Sequence, residues 1–199
     1  MSESMDFQLV NAKVLANDWG VLTRYEFELK RRNGEWQHQI RETYDRGNGA
    51  TCLPYNPTTG CVLLTSQFRL PVFLNGRLTS LIETPAGLLE GRDAAERMRA
   101  ELAEETGYEI ATLEHVFDVY MSPGSVTEYL AFFQGHYSEE ERTFEGCGIV
   151  DEREDIEVMH LPLQTAMAMI ETGEIRDAKT IILLQRLTIQ KMKEEALPA

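Results

Sequence analysis

The sequence lacks any long apolar run, which excludes an evident transmembrane helix. Hydrophobic residues make up 43% of the 199 positions, an ordinary share for a globular protein with a core. None of their runs approaches the roughly eighteen residues of a membrane-spanning helix. The N-terminus also lacks the basic and apolar segments of a secretory signal. We therefore expect a cytoplasmic globular protein, with one domain or one domain plus a small accessory element.

Cysteine is scarce and histidine is scattered, which excludes two further classes of protein. Cys52, Cys61 and Cys147 form no C-x-x-C pair, so neither a zinc site nor a disulfide framework is predicted, and thiols in a reducing cytosol are expected. None of the four histidines has metal-pair spacing with another. A G-x-S-x-G elbow is also missing, which argues against a serine nucleophile.

Positive charge is in short supply. The chain has 19 Lys and Arg against 33 Asp and Glu, a net charge of −14. Such a chain repels a nucleic-acid backbone, whose binding depends on Lys and Arg neutralising phosphates. It also repels an anionic small molecule, so a diphosphate substrate would need a cation and a few placed arginines to overcome the local field.

Residues 93–107 predict a short helix with defined ends. Asp93, followed by Glu96, is a favourable N-cap arrangement, and Gly107 is a natural helix stop. An apolar stripe would face the core, formed by Ala94, Ala95, Met98 and Leu102.

Three carboxylates collect at the end of this helix. The spacing of Glu101, Glu104 and Glu105 places them on one side of it, where they repel one another and oppose the helix dipole. One interpretation is a solvated acidic face. The other is a site for a hard divalent cation such as Mg²⁺, which prefers carboxylate oxygen.

The remaining pattern predicts a mixed α/β protein. Alternating apolar residues and the turn at Asn33–Gly34 indicate an antiparallel hairpin near the N-terminus. Predicted strands cover residues 21–29, 35–44, 50–55, 61–68, 81–83, 116–120, 127–135 and 155–161. Predicted helices beyond the acidic one cover residues 163–172 and 178–193. Such a series favours an α/β/α sandwich around a mixed sheet.

The segment from Glu101 to Tyr108 resembles the second half of the Nudix box, G-x5-E-x7-R-E-U-x-E-E-x-G-U, with U a bulky apolar residue. The first half departs from it, because the spacing back to Gly87 is one residue short. Ala100 stands where the box has an arginine that orients a glutamate, and Asp93 stands where its first glutamate would be.

Further motifs resemble the GDP-mannose pyrophosphatase branch of the ADP-ribose pyrophosphatase group; they lie at residues 44–51, 67–69, 85–89, 120–128 and 173–177. Pro123 follows Gly107 by sixteen residues, a spacing associated with ADP-ribose and related substrates. The resemblance implies a Nudix-type α/β/α sandwich with an N-terminal antiparallel extension. It places the extension at residues 1–46, as a homodimerisation and substrate-site element, and the Nudix domain at residues 47–199.

The resemblance also implies roles for individual residues. Glu101 and Glu105 would be direct ligands of Mg²⁺, for which Mn²⁺ could substitute. Glu104 would be a further ligand or an orienting carboxylate, and the Ala86 carbonyl an extra oxygen ligand. The base that activates water would come from the acidic loop at residues 151–155, with Glu152 as the first candidate and Glu154 as the second.

Substrate contacts would come from both parts of the chain. Arg69 matches a position that contacts the diphosphate in relatives, with Arg41 and Arg46 as additional candidates; surface salt bridges are the alternative. Trp19 could stack on the nucleobase or could be a core aromatic residue. The expected reaction is hydrolysis of GDP-mannose to GMP and mannose 1-phosphate. ADP-ribose hydrolysis and a non-catalytic nucleotide-sugar-binding module are the alternatives, and the Pro123 spacing disfavours a triphosphate.

Overall fold

The computed structural model describes residues 6–144 and 155–196. They form two compact units, one of residues up to 48 with 122–129, the other of residues 49–121 and from 130 on. The strands are β1 Phe7–Asn17, β2 Val21–Lys30, β3 Trp36–Asp45, β4 Gly49–Asn56, β5 Cys61–Gln67, β6 Leu81–Glu83, β7 Ala86–Leu88, β8 Leu113–Tyr120, β9 Tyr129–His136 and β10 Glu157–Pro162. The α-helices are α1 Leu70–Gly76, α2 Ala94–Thr106, α3 Leu163–Thr172 and α4 Ala178–Ala196.

The N-terminal unit is built on an antiparallel sheet of β1, β2 and β3, in that order. Gly34 makes the β2–β3 turn with a positive φ of 89°, as the Asn-Gly pair predicts. The sequence did not predict β1. Its register shifts between Leu9 and Asn11 and again between Val14 and Ala16. Each irregularity interrupts the alternation of apolar and polar residues by which a strand is recognised.

The second unit is built on a mixed sheet. Its strands run in the order β10-β5-β4-β9-β8, with β6 paired to β5 and β7 paired to β4. The central pair β4 and β9 is parallel, whereas β4–β5, β5–β6 and β5–β10 are antiparallel. Strand β4 is buried along nearly its whole length, which is expected of a strand covered on both faces.

Helices cover both faces of this sheet. Side chains along β5 alternate between two cores, because successive residues of a strand point to opposite faces. Leu63 joins α2 in one core, and Val62 and Leu64 join α3 and α4 in the other. The result is the predicted α/β/α sandwich. Among the helices of the described residues, none has both the length and the apolarity to span a membrane.

The acidic helix has the predicted ends. The Asp93 carboxylate accepts hydrogen bonds from the Ala95 and Glu96 amides at 3.1 and 3.0 Å, and Gly107 ends the helix with a φ of 78°. Met98 and Leu102 are fully buried. Besides β1, two elements were not predicted, α1 and β7. Both are too short to show a periodic pattern, and β7 also contains a glycine, which is unusual within strands.

Candidate active site

The end of α2 buries two of its glutamates. Glu101 and Glu105 are 8% and 3% exposed, whereas the Glu104 side chain is 36% exposed. Ionised side chains are seldom buried to this extent unless they are paired or bind a metal. Glu101 and Glu105 therefore do not belong to a solvated acidic face.

The backbone of β7 lies directly against the Glu101 carboxylate. Strand β7 pairs with the start of β4, where Ala86 lies opposite Thr51 and Gly87 opposite Ala50. A Cβ atom at Gly87 would overlap the Glu101 carboxylate. Glycine is required here because the chain passes so close to that side chain. Carboxylate and backbone oxygens so arranged have the donor chemistry that suits Mg²⁺, so the residues fit a hard divalent cation.

Arg97 lies among the same carboxylates. Its Nη2 is 2.5 Å from Glu101 Oε1 and its Nη1 is 3.0 Å from Glu104 Oε2. Within the part of the chain that the structure describes, no three His, Cys, Asp or Glu side chains converge as a ready metal site. Sequence analysis missed Arg97, although it precedes Glu101 by four residues and Glu104 by seven, spacings that share a helix face.

Two neighbouring positions of the helix, Ala100 and Arg99, make no contact of this kind. Ala100 has no charge to offer, and Arg99 Nε donates to the Ala111 carbonyl at 2.9 Å. Positive charge reaches the carboxylates from Arg97, one turn before Glu101. The arginine position of the family box is therefore occupied by alanine here, and Arg97 of the same helix lies beside the acids instead.

A second charged cluster is centred on Glu83, which is 2% exposed. Arg69 Nε donates to one Glu83 oxygen at 2.7 Å, and Lys179 Nζ donates to the other at 2.5 Å. Asp177 lies 3.1 Å from the same Lys179 nitrogen. Burial alone lowers the pKa of Lys179, but Glu83 and Asp177 outweigh burial and raise that pKa above its usual value. The Arg69 side chain remains 38% exposed, so it is anchored yet accessible.

Three buried threonines connect this cluster to the β7 segment. Thr180 Oγ1 donates to Asp177 at 2.6 Å and accepts from the Thr84 amide at 2.7 Å. Thr51 Oγ1 donates to the Pro85 carbonyl at 3.0 Å. It also lies 2.8 Å from Thr84 Oγ1. All three threonines are fully buried. The chain of hydroxyls thus runs from the start of α4 to the residue before Ala86.

Three predicted substrate contacts belong to the N-terminal unit. Trp19 is 76% exposed, so the alternative that it is a core aromatic residue is wrong. The Arg46 guanidinium lies 3.8 Å from the centre of the Trp19 ring, a cation–π arrangement. Arg41 is exposed and donates to the Ile40 carbonyl at 2.7 Å. Arg69 and α2 belong to the other unit.

Two predicted residues lie outside the described residues, Glu152 and Glu154, the candidates for the general base. Pro123 lies in a turn of the N-terminal unit, where the Val126 amide donates to the Ser122 carbonyl at 3.0 Å. The assignment of the base therefore stays a prediction from the sequence.

Comparison with known proteins gives matches along nearly the whole chain. Residues 45–184 match the NUDIX domain, and residues 7–44 match the N-terminal domain of the GDP-mannose pyrophosphatase NudK. A GDP-mannose pyrophosphatase of Pectobacterium atrosepticum is 49% identical over 96% of this chain and 97% of the relative. One of Citrobacter koseri is 46% identical over 92% of this chain and 96% of the relative.

A solved structure supports the fold. The crystal structure of an ADP compounds hydrolase superposes with a TM-score of 0.69, covering 98% of this chain and 99% of the other, at 19% identity. At that identity the likeness concerns the fold. Because the domain match spans most of the sequence and the relatives span nearly all of it, the chain belongs to the Nudix family.

Proposed function

We propose that this chain hydrolyses the diphosphate of a nucleotide sugar, with GDP-mannose converted to GMP and mannose 1-phosphate. The observation that carries the proposal is the burial of Glu101 and Glu105, with Glu101 against the Gly87 backbone, in a chain that matches the N-terminal domain of a GDP-mannose pyrophosphatase. Relatives with that name align along nearly the whole chain at 44–49% identity.

Nudix hydrolases generally use divalent metal ions, and we assign Mg²⁺ here, with Mn²⁺ as a substitute. Glu101, Glu105 and the Ala86 carbonyl would hold it, with Glu104 as a further ligand or an orienting group. When bound, such an ion neutralises the charge of the diphosphate and lowers the pKa of a bound water.

The chain's own residues bind the substrate and move a proton. Arg69, held by Glu83 at 2.7 Å, would direct its guanidinium to the diphosphate, since planar guanidinium suits phosphate oxygens. Glu152, or Glu154 in its place, would take a proton from the attacking water. The water oxygen then bonds to one phosphorus and the bridging P–O bond breaks, leaving two monophosphates.

The N-terminal unit would complete substrate binding. Trp19 presents an exposed indole face suited to a nucleobase, and Arg46 and Arg41 would add positive charge toward the phosphates. We further propose a cytoplasmic homodimer assembled through residues 1–46, with residues 47–199 as the hydrolase domain. Exposed apolar side chains on β1 support that assembly.

ADP-ribose is the second candidate substrate, favoured by the sixteen-residue spacing from Gly107 to Pro123. A non-catalytic nucleotide-sugar-binding module is disfavoured, because binding alone gives no reason to bury two neighbouring glutamates, one of them against β7. These alternatives differ in their products. A binding module releases none, whereas the two substrates release different nucleoside monophosphates.

The deciding experiment is a substrate panel of GDP-mannose, ADP-ribose, other nucleotide sugars and nucleoside triphosphates, with Mg²⁺ or with EDTA, scored by product identity. Glu105→Gln should lower turnover by more than about 100-fold, since loss of an outer-shell partner alone costs about 10–100-fold. The matched control is Glu109→Gln, which changes an exposed glutamate just after the helix. An unimpaired Glu105→Gln enzyme would contradict the metal assignment, and release of pyrophosphate from triphosphates would contradict the substrate class.

A further inference from the structure

Arg97 is held between two carboxylates that the proposed function assigns to a metal ion. Its side chain is 11% exposed, and it contacts Glu101 at 2.5 Å and Glu104 at 3.0 Å. Its Nε makes no hydrogen bond within the described residues and lies 3.9 Å from Glu90 Oε2. Arg97 therefore faces three acids, two in close contact and one at a distance.

The guanidinium supplies the charge that the carboxylates need in the absence of another cation. Bringing glutamates together at the end of a helix is unfavourable by itself. Arg97 lies 2.5 Å from Glu101 and 3.0 Å from Glu104, and an arginine guanidinium carries its positive charge at any ordinary pH. Arg97 therefore acts as an internal counter-cation.

A divalent cation and Arg97 compete for the same oxygens. Glu101 Oε1 and Glu104 Oε2 each accept one guanidinium nitrogen, and a second cation at these atoms would be repelled by the first. The described carboxylates do not converge on a common point, as expected if Arg97 draws two of them toward itself. A metal ion that binds either of these two oxygens would therefore displace the guanidinium from it.

The Glu90 carboxylate is close enough to accept the Arg97 guanidinium. Glu90 lies in the turn before α2, and its side chain is 55% exposed, so it can follow a moving guanidinium at small cost. Arg92 already binds the same Glu90 oxygen at 2.9 Å. We propose that Arg97 is an exchangeable counter-cation, which holds Glu101 and Glu104 in the metal-free protein and transfers to Glu90 when a divalent cation binds.

This inference rests on the proposed metal site, and it has an energetic consequence. The free energy of separating Arg97 from its acids is subtracted from that of metal binding, because the binding-competent arrangement is a minor state without metal. Removing Arg97 should tighten metal binding and destabilise the metal-free protein. A residue that only orients the ligands would have the opposite effect, since its loss would weaken metal binding.

The test measures Mn²⁺ binding directly, by electron paramagnetic resonance of free Mn²⁺ and by calorimetry, together with the melting temperature with and without metal. Arg97→Gln should lower the Mn²⁺ dissociation constant by about tenfold, lower the metal-free melting temperature and enlarge its rise on Mn²⁺ addition. Arg97→Lys should remain near wild type. Arg99→Gln is the matched control, since Arg99 is on the same helix but contacts the Ala111 carbonyl.

A second variant keeps the test decisive if Arg97→Gln does not fold. Glu90→Gln removes the receiving carboxylate, so it should weaken Mn²⁺ binding while Arg97 is present and have no effect in the Arg97→Gln background. Two results would overturn the exchange and leave the proposed function standing. One is weaker or unchanged Mn²⁺ binding by Arg97→Gln. The other is an unchanged Mn²⁺ affinity of the Glu90→Gln single variant. Absence of Mn²⁺ binding by the wild type overturns the proposed metal site itself.

Discussion

His160 lies at the centre of a hydrogen-bond chain beside the end of α2. Tyr108, which directly follows the helix stop, donates its hydroxyl proton to Glu139 at 3.1 Å. The Tyr108 oxygen must therefore accept from His160 Nε2, 3.4 Å away. With the imidazole neutral, which the lowered pKa of His160 favours, Nδ1 accepts from the Tyr137 hydroxyl at 3.1 Å and the ring proton lies on Nε2.

The pKa of His160 is lowered by burial and by Arg142, against the opposing charge of Glu139. As pH falls through the ordinary histidine range near 6.5, the unfolded chain binds a proton that the folded chain does not, so stability falls. His160→Gln should therefore show a shallower loss of melting temperature between about pH 7 and pH 5. His115→Gln, which removes an exposed imidazole paired with Asp118, is the control. Parallel curves for wild type and His160→Gln would disprove the assignment.

At the scale of the element, the start of α4 supports the segment that carries Ala86. Thr180 donates to the partly buried Asp177 and accepts from the buried Thr84 amide. Thr180→Val keeps the shape but leaves a buried amide and a carboxylate without this partner. The substitution should lower the free energy of unfolding by about 1–3 kcal/mol. For a chain of this size, each kcal/mol lowers the melting temperature by roughly 2–4 °C.

The chain offers a matched control for that prediction. Thr188 lies on the same helix and donates to the Leu184 carbonyl at 2.9 Å, a bond within α4. Thr188→Val should therefore change stability little, while Thr180→Ser should retain most of the wild-type value. Equal melting temperatures for the two valine variants, measured by calorimetry, would show that the hydroxyl chain contributes nothing to stability.

Local signals predicted some elements and missed others for physical reasons. The ends of α2 follow from Asp93 and Gly107, because caps act within one turn of a helix. The Glu83–Lys179 pair joins residues 96 positions apart, so no local pattern announces it. The spacing of Arg97 to Glu101 and Glu104 does predict a shared helix face, but the family box has its arginine at position 100.

On the scale of the whole molecule, the net charge of −14 opposes an anionic substrate, so local cations have to act against the general field. The structure places Arg69 and Arg97 beside buried acids, where water screens charge less than at the surface. The two arginines therefore have different proposed roles. Arg69 is anchored for the proposed substrate, and Arg97 balances the carboxylates until a metal replaces it.

The N-terminal sheet has the composition of an interface. Every residue of β1 is exposed, including Phe7, Leu9 and Val14. In the register of the sheet, Leu9 lies opposite Phe27 and Val14 opposite Thr23, which places both on one face. Apolar side chains grouped in this way mark association sites, and the free edge of β1 offers further hydrogen bonds to a partner.

We therefore expect sedimentation equilibrium to give twice the chain mass of 22.7 kDa. Substituting lysine at both Leu9 and Val14 should shift the mass toward the monomer, because charge on the apolar face opposes its burial. Gln8→Lys is the control, since Gln8 pairs with Glu28 on the opposite face and should leave the mass unchanged. A wild-type protein that sediments as a monomer at full activity would rule out a substrate site to which both subunits contribute. Trp19 and Arg46 could then bind only substrate held by their own chain.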